Sequence, residues 1–119
     1  MLGLLLKQWS PFVIALAADC VLFINLCSIF FKCGCRSLWN GAAMACNIHM
    51  AHGKHCPFCA HGSGGQAVVM AAIILPQLFV AIKASWSWPV RLLAMLAIFP
   101  AAEGIAAAII GWSDGYWNP

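Results

Sequence analysis

Residues 11–31 read PFVIALAADCVLFINLCSIFF, 21 positions in which only Asp19 and Asn25 interrupt an apolar run. At ~1.5 Å of helical rise per residue, such a stretch matches a hydrocarbon layer of ~30 Å and predicts a transmembrane helix. Pro11 suits the first turn, where its missing N–H costs nothing. The run passes Ala17 and Ala18 without ending at a small-residue cleavage site, and Asp19 precedes Cys20 where a lipoprotein site needs a small residue. We therefore expect the segment to be retained as an anchor. Ahead of it, residues 1–10, with Lys7 and Trp9, form a short interfacial N-terminal segment.

The rest of the chain has the same solvent preference. Of 119 residues, 64% are hydrophobic and 8% charged, and the mean hydropathy is +0.91. A soluble domain of this length carries far more charge. The second apolar run lies at 67–82 and contains Pro76, expected to kink it, and Gln77; with the residues that follow it gives a span over 67–84. A third span covers 89–111, with Arg91, Pro100 and Glu103 inside it, and is followed by a polar aromatic tail at 112–119. All six tryptophans (Trp9, Trp39, Trp86, Trp88, Trp112 and Trp117) fall at the boundaries of these spans, where an amphipathic indole is favoured. The fold class is thus an all-α integral membrane protein: three transmembrane helices with a Cys/His-rich extramembrane loop, residues 32–66, between the first and second. The termini then lie on opposite sides, with the loop on the side of the C-terminus.

The net charge of +3 is scattered, with no basic run, so nucleic acid is excluded as a partner. Lys7, Lys83 and Arg91 fall on one side, and Lys32, Arg36 and Lys54 on the other. The α-amine tips this balance toward an N-terminus in the cytoplasm of a bacterial-type inner membrane, with the loop on the non-cytoplasmic side.

Within that loop, residues 33–61 read CGCRSLWNGAAMACNIHMAHGKHCPFCAH, holding five of the seven cysteines and all four histidines. Cys46-Asn-Ile-His49 and Cys56-Pro-Phe-Cys59 are two ligand pairs at a spacing that lets one tight turn aim two side chains at a single ion. Together Cys46, His49, Cys56 and Cys59 make a four-ligand site for zinc, or for an iron–sulfur cluster with His replacing one thiolate. Cys33, Cys35, His52, His55 and His61 remain over. They would build a second metal site, support the first, or be solvated, and a single exposed loop histidine is usually the last.

Cys56-Pro-Phe-Cys59 also resembles the redox motif of thioredoxin-like proteins, glutaredoxins in particular. Over these four residues the resemblance implies Cys56 as an attacking thiolate at a helix start. No alternating strands flank the motif, so the soluble fold is not expected. Membrane disulfide-handling enzymes likewise join helical spans to such a motif, and here Cys33, Cys35 or Cys46 would be the exchange partner. Covalent haem is excluded, because Ala60 stands where the histidine must follow the second cysteine.

Asp19, Asn25, Gln77 and Glu103 are intramembrane polar groups, costly enough in hydrocarbon to be paired or functional. Asp19 and Gln77 can reach a common depth, as can Asn25 and Glu103; interhelical hydrogen bonds are the simplest use. Cys20 and Cys27, seven apart on one helix face, are ordinary buried residues or seats for a soft metal. Small residues four apart (Ala97 and Ala101, Gly104 and Ala108, Ala107 and Gly111) permit close helix approach, and three thin spans leave faces for other integral membrane subunits. The expected function is a non-catalytic, metal-binding accessory subunit of a larger membrane complex, redox or energy-converting. The alternatives are a thiol–disulfide exchanger using Cys56 and Cys59, and a copper- or mercury-type carrier using Cys20 and Cys27.

Overall fold

In the computed structural model, which describes residues 1–83 and 85–118, the chain forms three long helices. These are α1 (Leu2–Phe31), α3 (Gly62–Lys83) and α4 (Trp88–Ser113), with a four-residue helix α2 (Pro57–Ala60) just before α3. Three 3-10 turns, Leu38–Asn40, Ala42–Ala45 and Asn47–His49, carry the chain between α1 and α2. All three long helices are long and apolar enough to cross a membrane. The chain is an all-α membrane protein. Ala84 and Pro119, which close the second span and the tail in the sequence reading, lie outside the described residues.

The helices bury narrow stripes. In α3 the buried residues are Val69, Ile73, Gln77 and Ala81; in α4 they are Arg91, Met95, Phe99, Glu103, Ala107 and Gly111; in α1, Pro11, Ala15, Asp19, Cys27 and Phe31 keep the same four-residue step. Residues four apart share one edge of a helix, so each helix meets its neighbours along a single ridge. The buried polar side chains Asp19, Gln77, Arg91 and Glu103 all lie on these ridges, turned away from lipid as their desolvation cost requires. The opposite faces carry Val13, Ile29, Leu75, Phe79, Leu93 and Ile109, all exposed.

Helix α1 begins at Leu2, well before Pro11. Proline cannot donate to the Lys7 carbonyl one turn earlier, and the Ser10 hydroxyl approaches that carbonyl at 3.4 Å instead. The same hydroxyl accepts the Trp88 indole N–H at 2.7 Å, and Arg91 donates to the Gln8 carbonyl at 3.1 Å. These contacts fasten the starts of α1 and α4 together. In the middle of the bundle, the Gln77 amide donates to Asp19 Oδ1 at 3.1 Å and to the Met95 carbonyl at 3.0 Å, so one α3 side chain ties all three helices. Asn25 bonds instead to the Ser37 hydroxyl, at 3.0 Å. Glu103 is fully buried, and neither of its carboxylate oxygens has a partner among the described residues.

At the other end, the loop folds back onto the bundle. Phe58 of α2 is 1% exposed; its ring stacks on Phe23 of α1 at 5.7 Å and meets Phe31 edge-on at 4.9 Å. Phe23 lies about two turns before the end of α1, so the loop reaches down beside the helix rather than standing clear of it.

Candidate metal centre

Helix α1 stops at Lys32, whose left-handed backbone (φ 49°) sends its N–H back to the Ser28 carbonyl. The chain turns at once through Cys33-Gly34-Cys35. Gly34 has φ +91°, and a Cβ there would lie 2.5 Å from the Ala45 carbonyl oxygen, so only glycine fits. This close approach lays the first Cys pair against the segment carrying Cys46, and the Asn47 N–H donates to the Cys33 carbonyl at 2.7 Å. Cys56 caps α2, Pro57 occupies its first turn, and Cys59 follows one turn on.

Asn47 holds the parts together. Its Oδ1 accepts the Cys56 N–H at 2.6 Å, and its Nδ2 donates to the Tyr116 hydroxyl at 2.9 Å. That hydroxyl in turn donates to the Phe31 carbonyl, one of the acceptors a helix end leaves open. Lys54 donates to the Gly115 and Asn118 carbonyls. Four segments distant in sequence therefore converge where α1 ends.

The result is a cluster of six cysteines. Three triads, Cys27/Cys33/Cys56, Cys33/Cys35/Cys46 and Cys46/Cys56/Cys59, each have their sulfurs within 4.8 Å of one another. Cys33, Cys46 and Cys56 each belong to two triads and so also lie mutually within that distance. Cys27 and Cys56 approach to 3.3 Å, and Cys46 and Cys59 to 3.6 Å, well beyond the ~2.05 Å of a disulfide. Cys56 is fully buried and Cys27, Cys33 and Cys46 are at most 3% exposed, while Cys59 is half-buried. Thiol hydrogen bonds from Cys27, Cys33 and Cys59, with the Cys59 backbone N–H, hold the Cys56 thiol far below its usual range. The Cys59 thiol is pushed up, first by its bond to Cys56, then by burial and by Cys46. Burial likewise pushes up Cys35. Of these three thiols, Cys56 is the one whose charged form its neighbours favour. The cluster could hold a metal.

The histidines point elsewhere. His49 Nε2 donates to the Ala43 carbonyl at 3.0 Å, and His55 Nε2 to the Met50 carbonyl at 2.9 Å. His61 pairs with Asp114 at 2.8 Å, and His52 is exposed. None of them joins a thiol triad among the described residues. Of the four residues selected by spacing, Cys46, Cys56 and Cys59 come together and His49 stands outside; Cys33 and Cys35 join them. Sequence reasoning set Cys27 beside Cys20 on a metal route from the loop, not in one cluster with the loop thiols. Its position one turn before the end of α1 was the available signal, but only a loop folded back against the helix makes that proximity. Cys20 is exposed and belongs to none of the triads. A cavity of about 260 Å³ beside the cluster is lined by Cys20, Cys27, Cys35, Cys59 and Gln66.

No family model, curated protein or solved structure matches the chain.

Proposed function

We propose that the protein is a metal–thiolate accessory subunit of an integral membrane assembly, holding a soft metal ion at one end of its helix bundle. The observation that carries this reading is the interlocking of six cysteines from α1, the loop and α2 within 4.8 Å triads. Thiolates select zinc, Cu(I) and iron–sulfur iron over hard cations, and burial against Phe58 excludes competing water. A non-catalytic role fits a cluster whose sulfurs face one another in closed triads, with four of the six at most 3% exposed. The subunit role rests on the apolar outer faces of α1, α3 and α4, each burying only about a fifth of its apolar window, which suits contact with further membrane helices as well as lipid. The loop is assigned to the non-cytoplasmic side. Thiol exchange by Cys56 has less support, because an attacking thiolate must be reachable and Cys56 is fully buried.

The test is elemental analysis of the protein purified in detergent without added chelator, with alkylation of its thiols before and after metal removal. The reading predicts bound zinc, copper or iron, and slower labelling of Cys27, Cys33, Cys46 and Cys56 with the metal than without it. A metal-free protein whose thiols label identically in both conditions would refute it.

A further inference from the structure

We infer that the six thiols are arranged for three monovalent soft ions, Cu(I) by chemical class, each held by one triad, rather than for a single tetrahedral divalent ion. This deepens the metal–thiolate reading above and rests on it. The sulfurs are shared between neighbouring triads. Around the central set Cys33, Cys46 and Cys56, whose sulfurs lie mutually within 4.8 Å, each pair is joined by one outer sulfur, Cys27, Cys35 or Cys59, to make a triad. Three ions, each bound by two bridging sulfurs and one terminal sulfur, use all six with none left over. A pair of tetrahedral ions on six thiolates needs two shared and four unshared sulfurs, and a single tetrahedral ion leaves two unused. Sets of three suit Cu(I), whose soft filled shell accepts trigonal thiolate coordination, and thiolates are its preferred ligands.

Distance and charge agree with this count. With a metal–sulfur bond near the ~2.3 Å of zinc thiolates, three sulfurs around one trigonal ion stand ~4 Å apart, inside the 4.8 Å spread of each triad. Loading releases the thiol protons to solvent, and three monovalent cations on six thiolates leave three negative charges. In sequence the loop carries three cations next to the ligands, Lys32 and Arg36 flanking Cys33 and Cys35 and Lys54 two residues before Cys56, and it contains no acid. Asp114, in the tail, is paired with His61.

The experiment titrates the full chain in detergent, free of oxygen, with Cu(I) supplied as its acetonitrile complex and in parallel with Zn(II), counting bound ions by native mass spectrometry. X-ray absorption of the copper form then reads the coordination number. The proposal expects three copper ions per chain, three sulfur neighbours each and copper–copper scattering. Cys27→Ser, Cys35→Ser and Cys59→Ser should each lose one ion, and Cys33→Ser, Cys46→Ser and Cys56→Ser should each lose two, with Cys20→Ser unchanged as the control. The unmodified chain decides the matter even where a variant fails to fold. One copper per chain without copper–copper scattering, or a single Zn(II) that excess Cu(I) cannot displace, overturns the three-ion cluster and leaves the metal-binding reading standing. Retention of neither metal overturns both.

Discussion

Asn47→Ala tests how the cysteine cluster is held closed. The side chain accepts the Cys56 N–H at 2.6 Å and donates to the Tyr116 hydroxyl at 2.9 Å. Without it, a fully buried N–H loses its partner, which costs ~1–3 kcal/mol, and the tie to the C-terminal tail, worth ~1 kcal/mol, is lost as well. Allowing for partial relaxation, the closed loop loses ~2–3 kcal/mol relative to its open form. At 1.4 kcal/mol per tenfold, this raises the open population about 30- to 140-fold. The assay is N-ethylmaleimide labelling of the metal-free protein in detergent, followed thiol by thiol by mass spectrometry. Cys56 labelling should accelerate by that factor while exposed Cys20 keeps its rate. Asn47→Asp retains an acceptor for the Cys56 N–H and loses only the amide donor, so its acceleration should be about fivefold. A Cys56 rate in Asn47→Ala within about threefold of the parent would refute the reasoning.

Three further substitutions probe other parts. Gly34→Ala forces a side chain into a left-handed turn and against the Ala45 carbonyl; we expect a loss of ~1–3 kcal/mol in loop stability, read as protease cleavage between residues 32 and 56, with unchanged cleavage as the contrary result. Gln77→Leu removes the donor shared by Asp19 and Met95, and the SDS-unfolding free energy should fall by ~1–3 kcal/mol. Glu103→Leu replaces a buried carboxyl that has no partner among the described residues by a side chain at home in the core, so the same SDS assay should show a gain of ~1–3 kcal/mol, with a loss as the contrary result.

The three spans were legible because hydropathy over ~20 residues needs no tertiary information. The helix ends were not. α1 reaches back to Leu2 through a proline whose lost bond is offset by Ser10, and Ser10 is itself anchored by Trp88, 78 positions away. The metal centre was half legible. Spacing reports which ligands one turn can aim together, and Cys56 and Cys59 satisfy it locally, while the partner it gives Cys46 is His49. It does not report where an imidazole points, and the His49 ring is occupied by the Ala43 carbonyl. Nor can it reveal Cys27, whose apolar helical surroundings give no hint that a loop folds back beside it. Asn47 and Tyr116, 69 positions apart, have no shared pattern in the chain and meet only because α4 returns to the end where α1 stops.

Burial of the six sulfurs is uneven, and this sets how an ion would leave. A thiol on an acceptor protein takes a metal by adding to it before the old ligand departs, so transfer needs a coordinated edge open to solvent. Cys27, Cys33, Cys35, Cys46 and Cys56 are buried, and of the six only Cys59 is half-buried. Metal held here would therefore be kinetically locked even against an acceptor of higher affinity, with hand-off beginning at Cys59 and limited by the rate at which the loop opens.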